Sequence, residues 1–313
     1  MRGRGVQETN NIPTDQARPD LVRLIWARDH TYRRAKLALG FFVLASIALP
    51  VASAFFSASH PHWKPVLAFF GLCLLFLDVA FLDRLQKERL KRGAKLQEEF
   101  DTKVFQLPWN NFVAGDKVAP EDVNEATAKP LSNKRREEIE TWYEICVARV
   151  PLHVGRLICQ RTNINYDSRL RRRYGNYLLW VTILVGVVLL TTALVIDPKF
   201  GDVIMAFGVP FTPVMTWALR EHRRQVDTAN ALLNLQSEFK KLWARALSGA
   251  TPQELTTGSR ELQDAIYQHR GSAPLVFDWV YRRLRSRNEQ EAHHAAEELV
   301  KEMQSTLGTG DRA

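Results

Sequence analysis

Gln160, Arg161, Asp167 and Arg171 lie within twelve residues of one another and carry side chains able to recognise a phosphorylated base. Guanidiniums clamp phosphate oxygens in pairs, and the amide of Gln160 or the carboxylate of Asp167 can read a base edge. The same residues support a second reading, in which Arg161 and Arg171 pair with Asp167, Asp264 or Glu98 and hold helices together. Arg260, Gln263 and Asp264 form another set, at spacings that put all three on one helix face, with Arg270 further along. Both readings apply to that set as well.

Neither set reads as catalytic. The chain has no Gly-rich phosphate loop, GxSxG elbow, HExxH or CxxC pattern, so a protein without an enzymatic step is expected. Cys73, Cys146 and Cys159 lack metal-ligand spacing and read as reduced thiols, and no metal site is expected. His293 and Glu297, four apart on a highly charged helix, read as a solvated pair.

The elements that must position these residues are set by an uneven distribution of apolar residues along the 313-residue chain. Four runs lack Lys and Arg and are almost wholly apolar: residues 37–58, 65–82, 177–196 and 203–219. Each is about long enough, at roughly 1.5 Å per residue, to cross a hydrocarbon core of about 30 Å. Gaps of six residues, 59–64 and 197–202, join them into two hairpins. Those gaps hold only Lys64 and Lys199, whereas nineteen Lys and Arg flank the opposite ends of the runs. This asymmetry predicts that both termini and the long middle segment are cytoplasmic, and much of the net charge of +9 reflects it. The basic excess reads as topogenic charge and attraction to anionic headgroups, with a nucleotide or nucleic-acid site as the alternative. Thirty-six residues precede the first run, which argues against a cleavable signal.

The fold class expected is an all-α integral membrane protein, with four transmembrane helices as two hairpins and cytoplasmic helical extensions. Its segments are 1–36 (cytoplasmic), 37–83 (first hairpin), 84–175 (cytoplasmic), 176–219 (second hairpin) and 220–313 (cytoplasmic). Offsets of 140 and 138 residues between corresponding runs suggest a duplicated, parallel architecture. Within the runs, Asp78 reads as an ion-path or gating carboxylate, or as a buried partner for Arg84. Gly208, Pro210 and Pro213 imply a bend in the fourth run, either a moving part or a static kink. Four such helices cannot enclose a water-filled path alone, so a pore requires several subunits.

Outside the runs, helices are expected over 82–107, ended by Leu107-Pro108, then from Ser132 to about Val150 with Pro151 as the stop. Residues 110–130, polar and holding two prolines, read as a loop or a mobile insert. Helix 220–247 follows, with Val226, Ala229, Leu233, Leu242 and Trp243 as its apolar stripe. Thr251-Pro252-Gln253-Glu254 is a capping box, and further helices are expected over 260–270 and 274–303.

Several motifs around the runs carry a family resemblance. They are Ala27-Arg28, Tyr32 and Ala35-Lys36 before the first run, and Gln97-Glu98, Phe100-Asp101 and Leu107-Pro108-Trp109-Asn110 after the second. Trp142-Tyr143, then Cys159-Gln160-Arg161, Asn163, Tyr166-Asp167, Leu170-Arg171 and Tyr174 precede the third. Arg260, Gln263-Asp264, Ile266, Arg270 and Pro274 follow the fourth. In this order the chain resembles the SMODS-associated four-transmembrane (S-4TM) effectors. The resemblance implies a pore-forming or membrane-disrupting effector of a bacterial anti-phage system, dormant until infection and then lethal or arresting. It implies a cyclic oligonucleotide as activator, made by a CD-NTase-type nucleotidyltransferase, and no other cofactor. The inner-membrane bilayer and further copies of the chain are the implied partners, and no nucleic-acid polymer is. A membrane-anchored scaffold and an ion channel or transporter are the competing classes.

Overall fold

A computed structural model describes residues 10–59, 62, 64–77, 80, 83–196 and 209–310. All regular structure among them is helical. The elements are α1 (Ile12–Asp15), α2 (Pro19–Ser59), α3 (Lys64–Leu77), α4 (Asp83–Val104), α5 (Asn111–Ala114), α6 (Pro120–Ala126) and α7 (Asn133–Glu140). A 3-10 turn, Ile145–Arg149, precedes α8 (Leu152–Ile196), α9 (Val209–Leu247), α10 (Pro252–Ser272) and α11 (Asp278–Gly310).

One core is shared by segments that the hairpins separate in sequence. Leu21 and Ile25 of α2, Leu96 and Phe100 of α4, Leu157 and Ile158 of α8, Phe239 of α9, Leu262 of α10 and Val300 of α11 are buried in a single cluster. Phe100 illustrates the packing: its ring stacks on Tyr143 and meets Trp142 edge-on, with centroids 6.2 and 6.4 Å away. Burying such a side chain contributes about 1.5–3 kcal/mol. The expected segment boundaries at 36/37, 175/176 and 219/220 all fall inside continuous helices, because α2, α8 and α9 run from this core straight into the apolar runs.

Two helix pairs lead into the hairpins, α2 with α4 and α8 with α9. Both approach closely where glycine removes a side chain. A Cβ on Gly93 would lie 2.4 Å from the Tyr32 ring, and one on Gly175 would lie 3.4 Å from the backbone oxygen of His222. There the His222 ring also meets the Gly175 carbonyl, Nδ1 to O at 2.8 Å.

Local structure departs from expectation at several points. Helix α4 stops at Val104, before Leu107-Pro108, because Gln106 adopts φ 52° and the amides of Gln106 and Leu107 turn back to the carbonyls of Lys103 and Thr102. The buried Arg156 guanidinium completes that end, donating to the carbonyls of Phe105 and Gln106. The 110–130 loop contains α5 and α6. Asn110 caps α5 by accepting from the amides of Phe112 and Val113. Ser132 caps α7 as expected, but the helix breaks at Thr141. The Gln16 side chain takes over the Tyr143 backbone there, accepting from its amide at 2.6 Å and donating to its carbonyl at 3.1 Å. On α9 the buried stripe is Glu221, Gln225, Ala229, Leu232, Phe239 and Trp243, whereas Leu233 is exposed. The capping box at Thr251 forms, but its helix runs unbroken to Ser272 instead of restarting at Arg260.

Among the described residues, no helix is long and apolar enough to cross a membrane. Side chains are described for only part of each apolar run. Those that are described carry much exposed apolar surface: Phe41, Phe70, Leu72, Phe76, Trp180 and Leu184 are all more than half exposed. Asp78 and Gly208 lie outside the described residues. Pro210 and Pro213 fall within the first two described turns of α9.

Candidate functional site

Most of the polar residues singled out from sequence meet in the interior of the helical bundle. On α4, Glu98 and Asp101 point toward α10 and are 2% and 0% exposed. Arg260 of α10 donates to Glu98 at 2.6 Å, to Asp264 at 2.8 Å and to the Pro108 carbonyl at 2.9 Å. Gln263 donates to Glu98 at 2.7 Å and to Asp101 at 3.2 Å. Arg270 pairs with Asp101, which also accepts from the Tyr143 hydroxyl at 2.6 Å. Asn110 reaches Asp264 at 2.8 Å. Burial raises the Glu98 carboxyl against the opposing pull of Arg260, while Asp101 acts against deprotonation from one turn away. Arg270 is held charged: its burial opposes this, but Asp101 and its neighbours raise its pKa.

Gln160 of α8 joins the same network. Its amide donates to the Ser259 carbonyl at 2.8 Å and to the Gln263 side chain at 3.0 Å, and accepts from the Ser259 hydroxyl at 3.0 Å. Every donor and acceptor of that amide is used within the bundle except one lone pair.

A second centre forms around Arg171, further along α8. It donates to Asp167 at 2.8 Å, to Gln225 of α9 at 3.0 Å and to the Pro274 carbonyl at 2.7 Å. Gln225 in turn donates to Glu221 at 2.7 Å and to the Leu275 carbonyl at 3.3 Å. The connection between α10 and α11 is thereby tied to both helices of the second hairpin. Val276 and Val280 pack beside it against Leu170 and Tyr174.

Helix geometry explains why the four-residue set on α8 divides. At about 100° per residue, Gln160, Asp167 and Arg171 share a face, but Arg171 lies roughly 16 Å along the axis from Gln160. Arg161 points away from both, with its guanidinium 5.9 Å from the centre of the Phe239 ring on α9. Its burial, with Arg169 nearby, lowers its pKa. The structure therefore brings together Gln160, Gln263, Arg260 and Asp264, places Asp167 and Arg171 at a separate centre, and leaves Arg161 with neither. Arg260 bridges α10 to α4 through its ion pair with Glu98, whereas the ion pair of Arg171 with Asp167 lies within α8 and Arg171 reaches other elements by hydrogen bonds to Gln225 and the Pro274 carbonyl. Sequence reasoning missed Ser259, Glu221 and Gln225. The last two had a signal, since a polar pair four apart interrupts the apolar stripe of α9.

Outside these centres, Trp142 lies between two guanidiniums, Arg28 at 4.6 Å and Arg135 at 5.8 Å. Both cations contact Asp29, whose carboxyl they hold below its usual range although burial works the other way. His293 is paired, at 2.8 Å from Glu144. Cys146 and Cys159 are buried free thiols, and burial pushes both upward in pKa. A small cleft lined by Asn165, Tyr166, Arg169, Asn288 and Glu291 has a volume of about 10 Å³, room for one water. No metal-binding cluster occurs among the described residues.

This arrangement defines a helical bundle whose buried ion-pair network and α10–α11 connection grip the roots of two apolar hairpins. Residues 10–299 match the SMODS-associating 4TM effector domain, and the chain belongs to that family. It is also similar to a probable CBASS effector molecule of Bacillus cereus (strain VD146), 23% identical over 270 residues, covering 83% of this chain and 88% of that one. No solved structure matches it.

Proposed function

We propose that this chain is a membrane-acting effector of a bacterial anti-phage signalling system, without catalytic activity, that disrupts the inner membrane only when triggered. Its two hairpins cross the bilayer with both termini in the cytoplasm, and several copies assemble to form the lesion. The anti-phage setting is supported by membership of an effector family and by similarity to a probable CBASS effector.

The single observation that carries the membrane reading is where apolar surface is exposed. Of the 24 large hydrophobic side chains that are exposed among the described residues, eighteen lie in the four apolar runs. Phe69, Phe70 and Leu72 on one helix, and Trp180, Leu184 and Leu190 on another, are each more than half exposed. A soluble monomer rarely tolerates such a patch, whereas lipid covers it without cost. The cytoplasmic bundle has few such residues.

The trigger in this reading is a cyclic oligonucleotide made by a CD-NTase-type nucleotidyltransferase. Its phosphates compete with Glu98, Asp264 and Asp167 for Arg260 and Arg171, with Gln160 and Gln263 released to read bases. In the structure these arginines are engaged by carboxylates, which fits a resting state. A ligand shifts that state only by binding the rearranged bundle more tightly. The moving part is the fourth run with Gly208, Pro210 and Pro213, and Asp78 lines or gates the path.

The test is membrane potential and dye entry in cells expressing the chain, with and without an active neighbouring synthase. Depolarisation only with the synthase supports the proposal, and its loss in a Pro210→Ala, Pro213→Ala variant places the motion in the fourth run. An unchanged potential in both conditions would leave an anchored scaffold as the better account; flux at rest would favour a channel or transporter.

A further inference from the structure

The start of α11 is fixed at the roots of two apolar runs, and one face of it carries groups with no use inside the protein. Asp278 pairs with Lys36 at 2.5 Å, immediately before the first run. Phe277 lies against Gly40, inside that run, 3.8 Å from where a Cβ would stand. Trp279 meets Tyr177, the first residue of the third run, edge-on with ring centres 5.6 Å apart. Both rings are 48% exposed. Three contacts on two hairpins thus set the depth of this helix end.

One turn on, Arg282 and Arg283 follow Trp279 at spacings of three and four, so the three share a face. Both arginines are exposed, and among the described residues no ion pair or hydrogen bond engages either of them. Their neighbours differ: Arg285 pairs with Glu138 and Glu289, and Arg287 with Glu291. The rise along the helix axis from Trp279 to Arg282 and Arg283 is about 4.5–6 Å. That is the step from the edge of a hydrocarbon layer, where tryptophan prefers to lie, to the level of lipid phosphates.

We propose that Trp279, Arg282 and Arg283 form a docking site for the headgroup of an anionic phospholipid in the cytoplasmic leaflet. The indole sits beside the acyl-chain boundary, and the two guanidiniums clamp the phosphodiester. The site rests on the membrane reading above. Lipid held there braces α11 and the α10–α11 connection against the membrane roots, so the resting bundle is referenced to the bilayer surface.

The test uses the full chain, extracted from membranes in a neutral detergent and titrated with short-chain phosphatidylglycerol or phosphatidylcholine, with bound lipids counted by native mass spectrometry. The unaltered chain should bind phosphatidylglycerol more tightly than phosphatidylcholine. An Arg282→Ala, Arg283→Ala variant should lose that preference, weakening phosphatidylglycerol by about 30-fold. Trp279→Ala should weaken both lipids alike. Lys241→Ala, remote on α9, should change neither, and matching circular dichroism spectra would show that every variant folds. Inorganic phosphate should not displace the lipid at equal concentration. Undiminished phosphatidylglycerol binding by the double arginine variant would overturn the inference while leaving membrane residence intact. Recovery of the unaltered chain in the soluble fraction would overturn both.

Discussion

Replacing Arg270 by Met isolates the worth of the buried network. Arg270 is 13% exposed at its side chain and its partner Asp101 is 0% exposed. The substitution keeps most of the stem volume but leaves a carboxylate in the core with two neutral donors, Tyr143 at 2.6 Å and Gln263 at 3.2 Å. Removing one member of a buried pair costs about 3–5 kcal/mol, and the remaining donors put this case near 3. At about 2–4 °C per kcal/mol, the melting temperature should fall by roughly 6–12 °C. The assay is a thermal melt of the full chain in neutral detergent, all variants at one scan rate. Adding Asp101→Asn to Arg270→Met should recover at least half of the loss, because the stranded charge disappears. Lys103→Met, breaking the more exposed pair with Glu99, should cost less than about 1 kcal/mol. A melt for Arg270→Met within about 2 °C of the unaltered chain would refute the reasoning, as would a double variant no more stable than the single.

Phe100→Ala, removing a ring with no exposure, should destabilise by about 3–5 kcal/mol in the same melts. Gly93→Val should force Tyr32 out from between α2 and α4 and cost about 1–3 kcal/mol, and Tyr32→Ala in the same chain should restore part of it. Burial lowers the pKa of His269 to about 4, and Arg171 and Arg270 act in the same direction while Asp167 opposes them. Between the unfolded value near 6.5 and about 4, the unfolded chain therefore holds a proton that the folded chain does not. Stability should fall as pH is lowered through that window, by about 3 kcal/mol in all, and His269→Asn should flatten the slope; equal slopes in the two chains would contradict this. Thr251→Ala should cost about 1 kcal/mol, because its hydroxyl and Glu254 complete the capping box at the start of α10.

Features governed by neighbours in sequence were the legible ones. The capping box at Thr251, the cap at Ser132 and the helices entering and leaving the hairpins all follow from local side chains. What escaped reading was set from a distance. Nothing around Thr141 announces a helix break, because the group that competes for the Tyr143 backbone is the side chain of Gln16, 127 residues away. The end of α4 is similar, since Arg156 supplies the donors that stabilise its turn at Gln106. For the site, periodicity gave the common face of Arg260, Gln263 and Asp264. It could not show that Glu98 and Asp101 face them, nor that 16 Å of helix divides Gln160 from Arg171. On α9 Ala229 and Trp243 are buried as expected, but Leu232 takes the place of Leu233, and Glu221 and Gln225 occupy buried positions that apolar periodicity skips.

The unbroken passage of α8 from core to apolar run has a mechanical consequence. At 45 residues the helix is about 68 Å long, and its hydrogen-bond ladder offers no joint between the two parts. Pivoting at Arg171, a tilt of about 5° would swing the Ile196 end, roughly 38 Å along the axis, by about 3 Å, two residues of helical rise. Such a lever carries a small reorientation at Arg171 undiminished to the far end of the third apolar run. It also sets a tolerance: any residue that softened α8 between Arg171 and Tyr177 would absorb the stroke before it arrived.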